Sequence, residues 1–324
     1  MIRKQDTVLM VGETVSLLDF LIAKMGGMSR TSVKQLISQR RVSVAGAVQP
    51  RGDYTLMKGD KVVVSAGRGN TTLNHPKLSV IYEDEHLIVV YKRPGLLTMP
   101  TRPESSETTA LSILRAYVRR ENRKNSVFVV HRLDRETSGV LVFARTQALQ
   151  EYMRTYWRQL VTERTYIALV EGELPQKEGT VTSWLTEDKR NAMVYSSPTD
   201  NGGQKAVTHY KTLRVSHQAS DAGGQTTDSP EQKSFVHRTS SLCTSIYALV
   251  ELHLETGRTN QIRVHMQSLG HPVVGDRKYG YGNEYSPIDR LCLHAKVLAF
   301  IHPVTEKKVR FEAPVPKEFN RVLA

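Results

Sequence analysis

Val130-His131-Arg132-Leu133-Asp134-Arg135-Glu136-Thr137-Ser138-Gly139-Val140-Leu141 is the stretch on which the reading of this chain turns. It joins two strand-like apolar runs, Val127–His131 and Val140–Ala144, through a loop dense in charge. Polar and charged groups at a strand end, where a cleft can open, are typical positions for chemistry. His131 and Asp134 have a spacing permissible for two metal ligands, but no third or fourth ligand accompanies them. They could equally belong to a buried salt-bridge set. An aspartate flanked by Arg132 and Arg135 is expected to stay ionised, because a neighbouring cation favours the carboxylate.

Working outward, strand-like and helix-like segments alternate from residue 76 onward. Ser79–Tyr82, Leu87–Lys92, Thr165–Glu171, Lys205–Val215, Ile246–Leu254, Leu291–Ile301 and Lys308–Phe311 read as strands. Ala110–Arg119, Gln147–Leu160 and Thr259–Leu269 read as helices, the last ended by Gly270. Long β-runs with few helices between them predict an α+β domain on a mixed, mainly antiparallel sheet with flanking helices. Residues 216–240 are rich in Ser, Gln, Thr, Gly and Asp and read as a polar loop or insertion.

The second dense motif is Leu254-Glu255-Thr256-Gly257-Arg258-Thr259-Asn260-Gln261-Ile262-Arg263-Val264-His265-Met266. Gly257 can supply an unusual turn before the helix. Thr259 can cap it, leaving backbone N–H groups free for an anion. Arg263 sits one turn inside, able to fork onto a carboxylate or phosphate or to serve as a structural arginine. Two weaker signals accompany it. Lys92-Arg93-Pro94-Gly95 ends a strand with a kink. Tyr166 lies on a strand of apolar neighbours, where a ring either packs in the core or faces a cleft and stacks on a base.

The chain has 324 residues and a net charge of +13, of which the first 70 residues carry +6, from 11 Lys/Arg against 5 Asp/Glu. A surplus of this size points to a polyanionic partner. In the N-terminal region Thr14 is expected to cap a helix through Met25, and Ser29 a second helix from Arg30 to Gln39. Arg30, Lys34 and Arg41 fall at helical offsets that place them on roughly one face, suited to phosphate contacts. Short strands follow at Arg41–Val44, past a Gly46 turn, and at Lys61–Val64; Gly67–His75 reads as a linker. Two cysteines, Cys243 and Cys292, exclude a disulfide scaffold and point to a reducing cytosol. The N-terminus leads into no long apolar stretch, and no run approaches the ~20 residues a membrane helix needs.

These motifs resemble the RluA family of RNA pseudouridine synthases. The signature His-Arg-Leu-Asp-x-x-Thr-Ser-Gly stands at His131–Gly139, and Thr-Gly-Arg-Thr-His-Gln-Ile-Arg-Val-His-Met at Thr256–Met266, with Asn260 in place of the usual His. The Lys-x-Pro turn at Lys92–Pro94, the Gly270–Gly280 stretch and the Leu291–Ala295 strand also fit, so the resemblance spans about residues 76–316. The front of the chain is similar to the S-four-type RNA-binding module, through Ser29–Ile37, Arg41–Gly46 and Gly59–Val62. The resemblance implies a pseudouridine synthase fold at 79–324, a linker at 71–78 and an RNA-binding domain at 1–70. It implies that Asp134 is the catalytic aspartate, that Arg263 pairs with it, that Tyr166 stacks on the target base, and that Arg132 fills the space of the flipped nucleotide. Arg30, Lys34 and Arg41 would contact RNA.

The implied reaction breaks a uridine C1′–N1 bond and rejoins uracil through C5, with no cofactor and no metal. The expected partner is large-subunit ribosomal RNA, with transfer RNA open, and the expected state is a cytoplasmic monomer. A catalytically idle ribosome-assembly factor is the rival reading, and a metal-dependent nuclease a distant third, since a carboxylate cluster for two metals is lacking.

Overall fold

The computed structural model describes residues 6–38, 41–45, 47–49, 51–65, 73–102, 104–188, 190–219, 244–281 and 286–323. Gln39, the Gly46 turn, Cys243, much of the expected linker and residues 220–240 of the expected insertion lie outside them. The chain divides into two compact units, residues 1–76 with 111–127, and residues 77–110 with 128–324. The segment 111–127, read from sequence as part of the large domain, therefore groups with the small one.

The small unit runs β1 (Thr7–Met10), β2 (Val15–Ser16), α1 (Leu17–Lys24), α2 (Arg30–Ser38), β3 (Val42–Val44), β4 (Ala47–Val48), β5 (Thr55–Leu56) and β6 (Lys61–Val64). Four strands form a sheet in the order β1-β6-β3-β4. The first helix starts later than its sequence suggests. Val15–Ser16 is extended and pairs with Thr55–Leu56, so Ser16, not Thr14, caps α1, accepting from Asp19 N at 3.2 Å. Ser29 caps α2 as expected, accepting from Ser32 N at 3.1 Å. Leu17, Leu21, Val33, Ile37, Val42 and Val62 close the core between helices and sheet. One expectation fails here. Arg41 lies beyond the end of α2, where its backbone N–H returns to Leu36 O, and its guanidinium donates to Ser65 O at 2.7 and 3.1 Å. It therefore does not share a helix face with Arg30 and Lys34, because α2 ends at Ser38, before the third position of that stripe.

The large unit contains β7 (Leu78–Glu83), β8 (Leu87–Lys92), β9 (Phe128–Val129), β10 (Ser138–Ala144), β11 (Val161–Glu171), β12 (Glu178–Asp188), β13 (Met193–Ser197), β14 (Gln204–Ala219), β15 (Thr244–Leu254), β16 (Leu293–Ile301) and β17 (Lys308–Glu312). Its helices are α4 (Gln147–Thr155), α5 (Trp157–Leu160), α6 (Gln261–Ser268) and α7 (Lys317–Val322), while α3 (Ala110–Arg119) falls almost wholly in the segment grouped with the small unit. The strands form one mixed sheet in the order β13-β12-β14-β15-β11-β16-β10-β8-β7, with β17 on β16 and β9 on β10. All described pairings in it are antiparallel except β10 with β16. The predicted α+β class and mainly antiparallel sheet are therefore what the chain adopts.

Three local readings change. Gln147–Leu160 is two helices, since Tyr156 (φ −101, ψ 20) interrupts the spiral, and beyond it Trp157 lies on His131 at 4.9 Å between ring centroids. Residues 216–219, read as loop, extend β14 by pairing with β15 as far as Ala219↔Thr244. The hairpin β12–β13, with only partial alternation of burial, was not apparent from sequence.

The β10–β16 junction shapes the site. The two strands pair only through Ser138↔His294 and Gly139↔Ala295, then part, β10 turning to β9 and β16 to β17. Gly139 makes the approach possible. Its φ is +127, and a Cβ there would lie 2.1 Å from Ala295 O, so no side chain is tolerated.

Candidate active site

Over this junction lies a cavity of ≈ 600 Å³. It gathers residues from the 130–137 loop, β11, β16, the end of β15 and the start of α6. Asp134, Arg132, Tyr166 and Arg263 all line it, so four positions singled out across 130 residues of sequence meet at one place. Among its described lining residues Asp134 is the one carboxylate, against Arg132, Arg154, Arg164, Arg258 and Arg263. Such a site favours a polyanion overall and keeps a single anion in the interior.

The loop carrying Asp134 is held from below by β8 and the turn after it. Thr98 Oγ1 donates to Leu133 O at 2.7 Å and accepts from Leu133 N at 3.1 Å. On the far side of Asp134, Gly95 N donates to Arg135 O at 2.9 Å. Lys92 Nζ reaches the same carbonyl at 3.0 Å, together with Leu96 O at 2.8 Å and Arg93 O at 3.3 Å. The Lys92 side chain is fully buried. Burial pushes its pKa down to about 7, opposed in part by Glu136 and Asp134. The Lys-x-Pro kink thus clamps the loop, because Lys92 Nζ lies within hydrogen-bond distance of three carbonyls.

Arg135, adjacent to Asp134 in sequence, turns away and forks onto Glu107, with Nη2 to Oε2 at 3.0 Å and Nη1 on Oε1. Of the two flanking arginines expected to favour the Asp134 carboxylate, Arg135 therefore makes its ion pair elsewhere. The cation beside Asp134 is Arg263, with Nη1 3.7 Å from Oδ2. Arg263 makes its stronger pair elsewhere. Nε and Nη2 fork onto Asp276 at 2.6 and 2.7 Å, and Asp276 is completely buried on its side chain. Burial alone would lower the Arg263 pKa, but Asp276 and then Asp134 raise it on balance. Nothing in the spacing of the motifs marked Asp276, although it lies in the Gly270–Gly280 stretch.

The start of α6 also departs from the expected cap. Thr259 does not cap it. Asn260 does so in the left-handed region (φ 53, ψ 19), without a side-chain cap bond. Gln261 Oε1 closes the turn instead, accepting from Arg258 N at 3.0 Å and Thr256 Oγ1 at 2.8 Å, while Nε2 donates to Val207 O at 3.0 Å. One turn on, the buried His265 joins Thr208 Oγ1 at 2.9 Å and Ser183 Oγ at 3.0 Å, and burial holds its pKa near 4. These bonds fasten the helix that bears Arg263 to β12 and β14. Gly257 does not take the unusual φ expected of it; a Cβ there would meet only the end of the Arg164 side chain, Nη1 at 2.6 Å.

Tyr166 is aimed by a β-bulge, since the β11–β16 register shifts between Thr165 and Tyr166. Burial raises its pKa, Arg164 works against that, and the negative charge of Asp134 adds to it. The phenol that lines the cavity therefore stays neutral. Arg164, which the sequence reading passed over, donates Nη2 to Leu254 O at 3.1 Å and Glu255 O at 3.0 Å. Burial lowers its pKa from the guanidinium value. His131 is not available as a base, because its Nε2 accepts from Val142 N at 3.2 Å and burial drives its pKa down to about 3. Among the described residues no group of three or more His, Cys, Asp or Glu is placed to hold a metal ion, and no helix is long and apolar enough to cross a membrane.

The large unit is thus a mixed sheet bearing one described carboxylate in an arginine-rich cavity. The sequence profile described as RNA pseudouridylate synthase matches residues 86–268, and the chain belongs to that family, as the RluA-type motifs implied. It is 34% identical over 273 residues to an uncharacterized RNA pseudouridine synthase of Bacillus subtilis, covering 82% of this chain and 78% of the relative. It is 30% identical over 307 residues to the ribosomal large subunit pseudouridine synthase D of Zymomonas mobilis, covering 90% and 88%. The fold is similar to that of human RNA pseudouridylate synthase domain containing 1, with a TM-score of 0.53, 23% identity and coverage of 76% and 86%.

Proposed function

We propose that this enzyme modifies uridines in structured large-subunit ribosomal RNA and that Asp134 acts at the ribose of the target. The observation that carries the proposal is the convergence of Asp134, Tyr166 and Arg263 on one cavity with a single carboxylate. The target uridine must leave its stack to reach that carboxylate. Tyr166 would lie against the flipped base, and the exposed Arg132 at the cavity edge would occupy the gap left in the RNA. Asp134 then either attacks C1′, in a bond that breaks again as C5 joins C1′, or removes a sugar proton that it returns once C5 is attached. The C1′–N1 bond breaks, uracil turns, C5 bonds to C1′, the C5 proton leaves and N1 ends protonated. Atoms and electrons balance without an oxidant, which is why the reaction calls for no cofactor. The chain would work as a monomer in the cytoplasm.

The 30% identity with the Zymomonas mobilis enzyme, in an alignment that covers 90% of this chain, supports ribosomal RNA as substrate. The small unit fits an S-four-type RNA-binding module, with Arg30 and Lys34 exposed on α2. Arg41, tied to Ser65 O, would help hold that module together and contact RNA only through its edge. Pseudouridine mapping of total RNA from cells with and without the gene, complemented by wild type or Asp134→Asn, tests the reading. Ribosomal sites should vanish in the deletion and return only with wild type. Sites confined to transfer RNA would refute the substrate, and restoration by Asp134→Asn would refute the role of the carboxylate.

A further inference from the structure

Asn260 stands where the family motif usually has His, and the contacts around it show what a side chain there can do. Three nitrogens of Arg263 are available. Asp276 takes Nε and Nη2. The remaining Nη1 is the nitrogen that faces Asp134, at 3.7 Å from Oδ2. The same Nη1 donates to Asn260 Oδ1 at 3.1 Å. A guanidinium Nη carries two hydrogens, so the Asn260 carbonyl engages one and leaves the other for Asp134. Asn260 is itself held, since its Nδ2 donates to Tyr279 Oη at 3.1 Å and that hydroxyl also accepts from Val194 N at 2.9 Å. The Tyr279 ring completes the bracket, with Arg263 Cζ 4.9 Å from its centroid.

We propose that Asn260 is a positioning residue, which orients Arg263 Nη1 toward Asp134 and does so from a left-handed backbone. The proposal rests on the reading of Asp134 and Arg263 given above. Two demands meet at this position. The backbone sits at φ 53, where Gly and Asn are at ease and most side chains are strained. The side chain must also accept from one neighbour and donate to another. An amide does both. A neutral imidazole does both as well, with one ring nitrogen as acceptor and the other as donor. Aspartate could accept from both Arg263 and the Tyr279 hydroxyl, but its charge would draw Arg263 away from Asp134.

The test uses the full-length enzyme and an RNA it modifies, with tritium release from C5 giving kcat and KM separately. Asn260→Gly keeps the left-handed backbone without strain and removes both side-chain bonds. It should melt within a few degrees of wild type, lose about tenfold in kcat and change KM less than about twofold. Asn260→Asp should lose at least as much kcat. Asn260→His should recover most of the loss, to within about threefold of wild type. A normal kcat in folded Asn260→Gly overturns the proposal, and so does a defect confined to KM. Failure of Asn260→His to exceed Asn260→Gly also overturns it. Asp134→Asn, measured in parallel, separates the two levels. If it is inactive while Asn260→Gly is normal, only the positioning role falls; if it turns over, the reading of the site falls first.

Discussion

Lys92→Met isolates the buried amino group beneath the loop that carries Asp134. Met has nearly the length of Lys and suits an enclosed apolar slot, but carries neither charge nor donor. The unfolded chain holds the Lys92 proton up to its ordinary pKa of 10.5, whereas the folded state releases it at about 7. Between those values the unfolded state binds more protons, so wild-type stability must rise with pH, by about 1.4 kcal/mol per pH unit for one full proton. That contribution is complete above the unfolded pKa and is lost as pH falls through about 7. Over pH 8 to 10 it amounts to roughly 3 kcal/mol. In Lys92→Met this site contributes nothing to the slope. The offset at any one pH is a poor measure, because the variant both relieves a buried charge and strands carbonyl oxygens that cost about 1–3 kcal/mol each. The difference in slope is free of that ambiguity. Both tryptophans, Trp157 and Trp184, lie in the large unit, so urea titrations followed by tryptophan fluorescence at several pH values report the relevant unfolding. Parallel stability–pH lines for wild type and variant would refute the depressed ionisation and show that the three carbonyls hold Lys92 as an ammonium.

Other perturbations address separate links. Gly139→Ala places a methyl 2.1 Å from Ala295 O at φ +127 and should cost on the order of 3 kcal/mol or more; a urea midpoint like that of wild type would show that the strands can part without loss. Tyr166→Phe keeps the ring and should retain most activity, whereas Tyr166→Ala should lower kcat/KM by about 10–100-fold, about 1–3 kcal/mol of stacking; equal losses in a C5 tritium-release assay would mean that the hydroxyl, not the face, matters. Replacing Arg30 and Lys34 together by Gln should weaken RNA binding and reduce the slope of log K against log salt by about two; an unchanged slope in filter binding would remove them from the RNA surface. His265→Ala, which leaves Ser183 and Thr208 without their shared partner, should lower both stability and kcat, with a melting curve and single-turnover assay as the check.

Residues near one another in the chain carried much of this structure in legible form. The apolar runs at Leu87–Lys92 and Val140–Ala144 announce strands because burial on both faces demands uninterrupted side chains of that type. The loop at 131–137 and the Arg263 helix stand out because charge set between such runs must serve a cleft or a pair. The helix of α3 was legible at both ends, since its period is complete within ten residues. What could not be read locally was partnership. Arg135 beside Asp134 goes to Glu107, 28 residues away, while Arg263, 129 positions downstream, supplies the neighbouring cation and is itself held by Asp276. Arg41 has the spacing of a helix face but lies past the helix end, on Ser65 O. The hairpin β12–β13 gains its buried residues only by lying against β14 and α6. Sequence thus determined which groups are chemically capable and where strands run, because periodicity and residue type are local properties. Only the tertiary structure decided which charge meets which, because hydrogen-bond distances depend on how β10, β11 and β16 close around one cavity, and that closure is settled by the whole sheet at once.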